Sequence, residues 1–146
     1  MAVKEVKIRP MEQEDISRIL EIDREISGVD RALTYKASPR GVTGGHLGTS
    51  FVAKADNQVV GFLLAYLAYV REQVSEACII QIFGVDPQYQ KQGIAAKLFH
   101  SLLDHCRSKK IRLVRITLEE RDSELQGFFE HLGFDRGRSI DYSMAF

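Results

Sequence analysis

Ile82-Phe83-Gly84-Val85-Asp86-Pro87-Gln88-Tyr89-Gln90-Lys91-Gln92-Gly93-Ile94-Ala95-Ala96 is the stretch from which the rest of the chain can be read. It runs from an apolar strand through a turn at Asp86-Pro87 to a glycine that opens a helix. A helix N-terminus carries about half a positive elementary charge and up to about four N–H groups without a helical acceptor. Gly93 lets a ligand approach that end with no Cβ in the way, so the turn can hold a pyrophosphate. The spacing Gln-x-x-Gly-x-Ala matches neither the nucleotide-triphosphate loop with its terminal Lys nor G-x-G-x-x-G. ATP hydrolysis and dinucleotide binding therefore lack their signatures.

Upstream, Ala77 to Val85 is almost entirely apolar, with only Gln81 polar, and reads as a strand buried on both faces. Downstream from Ile94, the residues Ala95, Leu98, Phe99, Leu102, Leu103 and Cys106 form one stripe, while Lys97, Ser101, Asp104 and Ser108 point away, which predicts a four-turn helix. Thr49 to Ala55 and Val59 to Val70, separated by Asp56-Asn57-Gln58, read as a hairpin. Before it come a short strand over Val3 to Arg9 ended by Pro10, an amphipathic helix with Ile16, Ile19, Leu20 and Ile26 behind Glu12, Glu14 and Asp15, and a glycine-rich loop over 27–48. After the central helix, Ile111 to Leu118 returns to strand, Ser123 to Leu132 to a helix stopped by Gly133, and Ile140, Tyr142, Met144 and Phe146 alternate as a last strand on one face. The predicted order is β-α-loop-β-β-β-α-β-α-β, without internal repeats.

The 146 residues, 45% apolar, suit one domain over 1–146. Twenty Lys and Arg balance twenty Asp and Glu, so the long-range field of a nucleic-acid or acidic-membrane binder is missing. The longest apolar run, Val59 to Val70, falls short of the about 20 residues that cross a bilayer, and the N-terminus does not read as a signal peptide. No nucleic acid, no membrane and a cytoplasmic location are expected. Cys78 and Cys106, without a C-x-x-C pair, read as reduced and buried. His100 and His105 stand about 140° apart on a helix, which favours helix surface over a metal site.

Read with its flanks, the stretch from Val85 to Ala95, followed by Phe128-Phe129-Glu130-His131-Leu132-Gly133-Phe134, resembles the GCN5-related N-acetyltransferase superfamily. The resemblance is specific over 77–134. It implies an α/β single domain in which a mixed, mostly antiparallel central sheet, with splayed parallel strands 4 and 5, is flanked by helices. It also implies acetyl-CoA as co-substrate and no metal. The main chain at Phe83, Gly84 and Val85 would pair with the pantetheine arm. The pyrophosphate would lie against Gln90, Lys91, Gln92, Gly93, Ile94, Ala95 and Ala96, with Lys91 adding a charge, and Ser123 joins the cofactor residues. The cations Arg107, Lys109, Lys110, Arg112 and Arg115 either meet the 3′-phosphate of CoA or solvate a helix C-terminus.

The chemistry sets further demands. An amine with pKa near ~10 must lose a proton before it attacks a thioester, the carbonyl oxygen wants a fixed N–H donor, and the departing thiolate wants a proton. Many members of the family place a tyrosine acid where this chain has Phe129, so that route is closed. A thiol of pKa ~8.5 lies only roughly 2 kcal/mol from neutral conditions, which makes expulsion without an acid tolerable. Gln81 and Ile79 occupy the positions where branches of the family carry a glutamate base. Glu119 resembles the base position of the branch that acetylates ribosomal protein N-termini, against the alternative of a solvated strand-end carboxylate. Tyr142 is the second-rank acid candidate, against a core tyrosine.

Two features stay open at this level: the loop at 41–48 as a substrate-side lid or a linker, and Tyr66 with Tyr69 as an acceptor groove, an oligomer face or core. The reading is an acetyl-CoA-dependent N-acetyltransferase acting directly on a primary amine of a small molecule or a protein, with a homodimer as an open possibility. Alternatives are a longer acyl donor, a CoA-binding regulatory module without catalysis, motivated by Phe129 and Gln81, and an adaptor that uses the hairpin.

Overall fold

The computed structural model describes residues 5–28, 49–70 and 76–146. Its elements in chain order are β1 (Lys7–Pro10), α1 (Ile16–Ser27), β2 (Phe51–Ala55), β3 (Gln58–Tyr69), β4 (Glu76–Val85), α2 (Ile94–Ser108), β5 (Val114–Ile116) and α3 (Ser123–His131). Short 3-10 turns at Gln13–Asp15 and Pro87–Tyr89 precede α1 and follow β4. The sheet order is β1-β2-β3-β4-β5, antiparallel throughout except for the parallel pair β4–β5. This is the expected mixed α/β sheet.

Each sheet face buries its own set of side chains. On one side, α2 contributes Ile94, Leu98, Phe99, Leu102 and Cys106, which pack with Leu63, Ala65, Cys78, Ile80, Val85 and, from α3, Phe129. On the other, α1 contributes Ile19 and Ile22 against Val52, Phe62 and Leu64. Most of the residues read as helical stripes are core, except that Ile26 is exposed, Leu103 lies outside the clusters and Ile22 joins the core without having been read there. Cys78 and Cys106 are both free and buried. Hydrogen bonding to Cys106 and burial push the Cys78 thiol well above the ordinary thiol range, which leaves it unreactive.

One bulge shapes β4. Leu64 pairs with Ile82 and Ala65 with Ile80, so Gln81 is one extra residue inserted in β4. The insertion switches the side-chain alternation: Cys78 and Ile80 before it, and Phe83 and Val85 after it, all reach the α2 face. Gln81 itself is exposed and Ile79, Ile82 and Phe83 are half-buried, so β4 is less completely covered than its apolar sequence predicts.

Other boundaries also differ from the sequence reading. β5 is confined to three residues within the expected 111–118. No strand forms over Ile140–Phe146, and Tyr142 is exposed instead of core-facing. Alternation specifies which face a strand would bury but supplies no ladder partner, and the short β5 gives this segment none. The lid or linker proposed over 41–48 lies outside the described residues. Tyr66 is half-buried, and Tyr69 at the end of β3 is exposed, which removes it from the core.

The entry to α1 is fixed by Asp15, which accepts the Glu12 amide at 2.8 Å and two Arg9 guanidinium hydrogen bonds at 2.8 Å each. Burial pushes this carboxyl up, but the hydrogen bonds from Arg9 and Glu12 and the Arg9 charge outweigh it and hold the group below its ordinary value of 3.8. A depressed carboxyl stabilises the fold above its unfolded pKa and loses that contribution as pH falls through the folded one. Asp15→Asn should therefore cost about 1–3 kcal/mol near neutral pH. It should also flatten the acid limb of a urea-denaturation stability profile below pH ~4.

Candidate active site

The parallel ladder between β4 and β5 consists of Cys78–Val114, Ile79–Arg115 and Ile80–Ile116, and among the described residues it ends there. The bulge at Gln81 follows at once, so β4 continues to Val85 with the β5-facing main chain of Ile82, Phe83 and Gly84 left without a strand partner. These are the splayed strands expected from the resemblance. On the opposite side α1 comes close: a Cβ on Gly84 would sit 2.7 Å from Ile26 Cδ1 and 3.0 Å from the buried Phe62 ring. A side chain there would have to displace the end of Ile26 and push on the Phe62 ring.

The segment after β4 folds back under several restraints. Asp86 is buried, and its Oδ1 accepts the Gln88 amide at 2.9 Å, capping the Pro87–Tyr89 turn. Its Oδ2 accepts from Arg18 of α1, whose Nε donates to Val59 O at 3.0 Å. Tyr89 donates its hydroxyl proton to Asp56 Oδ2 at 3.0 Å, and Gln90 Nε2 donates to Val85 O at 3.0 Å. The turn is thus tied to α1, to the β2–β3 turn and to the end of β4. Arg18 and Tyr89 were not singled out from sequence; Arg18 lies 68 residues from its partner and carries no local signal.

Lys91 and Gly93 both take left-handed backbone angles, with φ of 63° and 79°. Alternation of this kind turns successive amides inward as an anion-binding nest. No atom lies within 4 Å of where a Cβ on Gly93 would be. The Lys97 amide bonds to Gly93 O at 3.1 Å, the first helical bond of α2, which leaves the amides of Ile94, Ala95 and Ala96 without an acceptor in the helix. The Ile94 side chain is itself core, so its role here is confined to the main chain. The amides required for a diphosphate are therefore not consumed by α2.

Phe129 sits at the centre of an aromatic cluster, with ring centroids 5.0 Å from Phe99, 5.2 Å from Phe128, 5.3 Å from Phe134 and 5.8 Å from Phe83. The cluster fastens Phe83, and with it the free stretch of β4, to α2 and α3. A buried hub of this kind has no proton to donate.

The proposed catalytic side chains lie apart from that order. Glu119 is exposed and three residues past the end of β5, at the start of a turn and not on a strand. Its carbonyl accepts from the Asp122 amide and from Gln126 Nε2, each at 3.1 Å, while Asp122 Oδ1 caps α3 through the Leu125 amide. Ser123, exposed, is the first residue of α3. Tyr142 is 92% exposed on a segment outside the sheet. His105 packs edge-on against Phe51 at 5.7 Å, and among the described residues no group of three or more His, Cys, Asp or Glu could hold a metal ion. Arg107 pairs with Asp104 at 3.1 Å on the exposed end of α2.

Asp86→Ala should destabilise the protein by about 2–3 kcal/mol in urea denaturation, since it removes the buried carboxylate that pairs with Arg18 and leaves the Gln88 amide without its acceptor. Asp86→Asn, which keeps an acceptor oxygen for Gln88, should lose less.

Comparisons with known proteins converge on this geometry. Residues 14–134 match a family model described as Acetyltransferase (GNAT) family. Among solved structures, the chain superposes on the aminoglycoside N-acetyltransferase AAC(6')-Iy in complex with a bisubstrate analogue of CoA at a TM-score of 0.78 and 20% identity, covering 97% of this chain and 99% of that one. A possible acetyltransferase from Clostridium difficile 630 gives 0.80 at 18% identity, with 97% of each chain covered. The ribosomal-protein-alanine N-acetyltransferase from Brucella melitensis biovar Abortus 2308 gives 0.78 at 15% identity, with 97% and 99% covered. At these identities the superpositions establish the fold. No curated protein matches the chain.

Proposed function

We infer the function from one premise: the chain belongs to the acetyltransferase (GNAT) family. The reaction proposed is transfer of an acetyl group from acetyl-CoA directly to an amine of a small molecule or a protein. The observation that carries it is the coincidence of two features at one end of β4: main chain abandoned by β5 after Ile80–Ile116, and the amides of Ile94, Ala95 and Ala96 at the start of α2. The similar structures named above include one bound to a CoA conjugate and acetyltransferases of both small-molecule and protein amines, which supports the same donor and leaves both acceptor classes in play.

Acetyl-CoA supplies the activated carbonyl, as a thioester. The nest at Lys91–Gly93 and the start of α2 would hold the diphosphate, and the Lys91 ammonium adds charge. The free edge at Ile82–Gly84 would take the pantetheine amides as an added strand does, and a fixed N–H there would polarise the acetyl oxygen. Glu119 would take the amine proton, directly or through water. The new C–N bond forms as the C–S bond breaks, and the thiolate takes a proton from solvent. Phe129 is sealed in the aromatic hub and Tyr142 lies on a segment that nothing in the sheet holds, so neither is assigned the acid role.

Acetyl-CoA at about 100 times its dissociation constant should stabilise the protein by about 2.7 kcal/mol, read as a rise in melting temperature. Gly93→Asp should abolish the rise by placing a carboxylate where the diphosphate sits. An unchanged melt of the natural protein would overturn the reading. With acetyl-CoA and a panel of amines, thiol release should fall ~10²-fold or more at neutral pH in Glu119→Gln. A full rate in that variant rejects Glu119 as the base but leaves the acetyltransferase reading standing.

A further inference from the structure

Between Asp86 and the Lys91–Gly93 nest, the short segment from Pro87 to Gln90 sets the direction in which the nest faces. Asp86 is the joint on which that segment turns. Its amide donates to Val60 O at 2.8 Å and its carbonyl accepts the Tyr89 amide at 2.8 Å. Its carboxylate, 7% exposed, accepts the Gln88 amide through Oδ1 at 2.9 Å and an Arg18 Nη2 proton through Oδ2. Asp86 thus closes the β3–β4 ladder with its main chain and opens the turn with its side chain.

The ties that hold this turn to the rest of the protein are unequal. Tyr89 donates to Asp56 at an exposed position, where water competes for both groups. Gln90 donates a neutral hydrogen bond to Val85 O. The contact of Arg18 with Asp86 joins opposite charges in a part-buried place, and charge-assisted bonds of this kind are roughly twice as strong as neutral ones. Arg18 is oriented in turn, because Nε donates to Val59 O at 3.0 Å and Nη1 to Glu21 Oε2 at 3.1 Å. One guanidinium therefore braces α1, the start of β3 and the end of β4.

Without that guanidinium, the buried Asp86 carboxylate would have no cation paired to it among the described residues. An uncompensated buried charge is costly, so the carboxylate would turn toward water or take up a proton and loosen its hold on the Gln88 amide. Its unneutralised charge would also stand at the foot of a loop whose proposed ligand is a diphosphate, and like charges repel most where water is scarce.

We propose that Arg18 is a positioning residue for cofactor binding: by neutralising and holding Asp86 it sets the turn that aims the Lys91–Gly93 nest, without touching the cofactor. This rests on the reading of the nest as a diphosphate site and adds to it a residue from the helix on the opposite face of the sheet. The effect is selective for the diphosphate. The edge at Ile82–Gly84 is secured separately, by its ladder to β3 and by the packing of Phe83 against Phe99 and Phe129.

Acetyl-CoA and S-acetylpantetheine, which has the same thioester and pantetheine arm but no diphosphate, separate the two contributions. In calorimetric titration Arg18→Met should weaken acetyl-CoA binding about 10-fold or more. In thiol-release rates with an amine that the natural protein acetylates, KM for acetyl-CoA should rise by a similar factor with kcat within about 2-fold, and kcat/KM for S-acetylpantetheine should stay within about 2-fold. Arg18→Lys, which keeps a cation for Asp86, should recover most of the affinity. Adding Asp86→Asn to Arg18→Met should recover it as well, since the neutral amide still accepts from Gln88 and needs no counter-charge. If Arg18→Met does not fold, Arg18→Gln, which can donate to Asp86 but carries no charge, takes its place with the same expectations. Natural affinity for acetyl-CoA in the uncharged variant overturns the inference and leaves the acetyltransferase reading standing. An equal loss for both donors, the mark of general disorder, or a loss that Asp86→Asn does not relieve overturns it in the same way. A natural protein that binds no acetyl-CoA overturns both.

Discussion

A parallel strand pair can open a ligand slot only if something stops the two strands from continuing to pair. Here that constraint is a single inserted residue. Gln81 is inserted in β4 between the ladder pairs Leu64–Ile82 and Ala65–Ile80, and the β4–β5 ladder ends one residue earlier at Ile80. The same insertion shifts the alternation so that Phe83 and Val85 still face the α2 core. Freeing backbone groups normally costs hydrogen bonds, and a bulge localises that cost at the point where the groups are to be used.

Around the slot the protein is stiff where the proposed cofactor needs it to be. Asp86 joins the turn to Arg18 of α1, Tyr89 joins it to the β2–β3 turn, and the rings around Phe129 hold β4 to α2 and α3. Order of this kind lowers the entropy lost when a flexible donor binds. Phe129 gains its place in that arrangement at the expense of chemistry: a tyrosine hydroxyl at such a buried position would need a partner among surrounding rings. The proposed reaction is accordingly built from backbone amides, one solvent-exposed carboxylate and water.

Much of this was legible along the chain wherever burial and pattern coincide. The α2 stripe from Ile94 to Cys106 is the core stripe, and the turn at Asp86-Pro87 and the helix start at Gly93 lie where their residues place them. Period-two patterns were less reliable. Thr49 to Ala55 and Val59 to Val70 pair as read, to within two residues, because each has a neighbour. Ile140 to Phe146 alternates just as well and forms no strand, because no neighbouring strand pairs with it. Ile111 to Leu118 shrinks to three paired residues, since only Val114, Arg115 and Ile116 pair with β4.

By itself the sequence determined the order of the described elements as far as α3, the apolar stripe of α2, the glycine that opens its N-terminus and the closing of the tyrosine route by Phe129, since each rests on residues adjacent in the chain or one helical turn apart. Only the tertiary structure decided that Gln81 is a bulge, that Arg18 reaches Asp86, that Glu119 stands in a turn beyond β5 and that the C-terminal apolar residues lie in solvent. Those outcomes depend on registers and contacts between segments tens of residues apart, and local propensity carries no term for the partner.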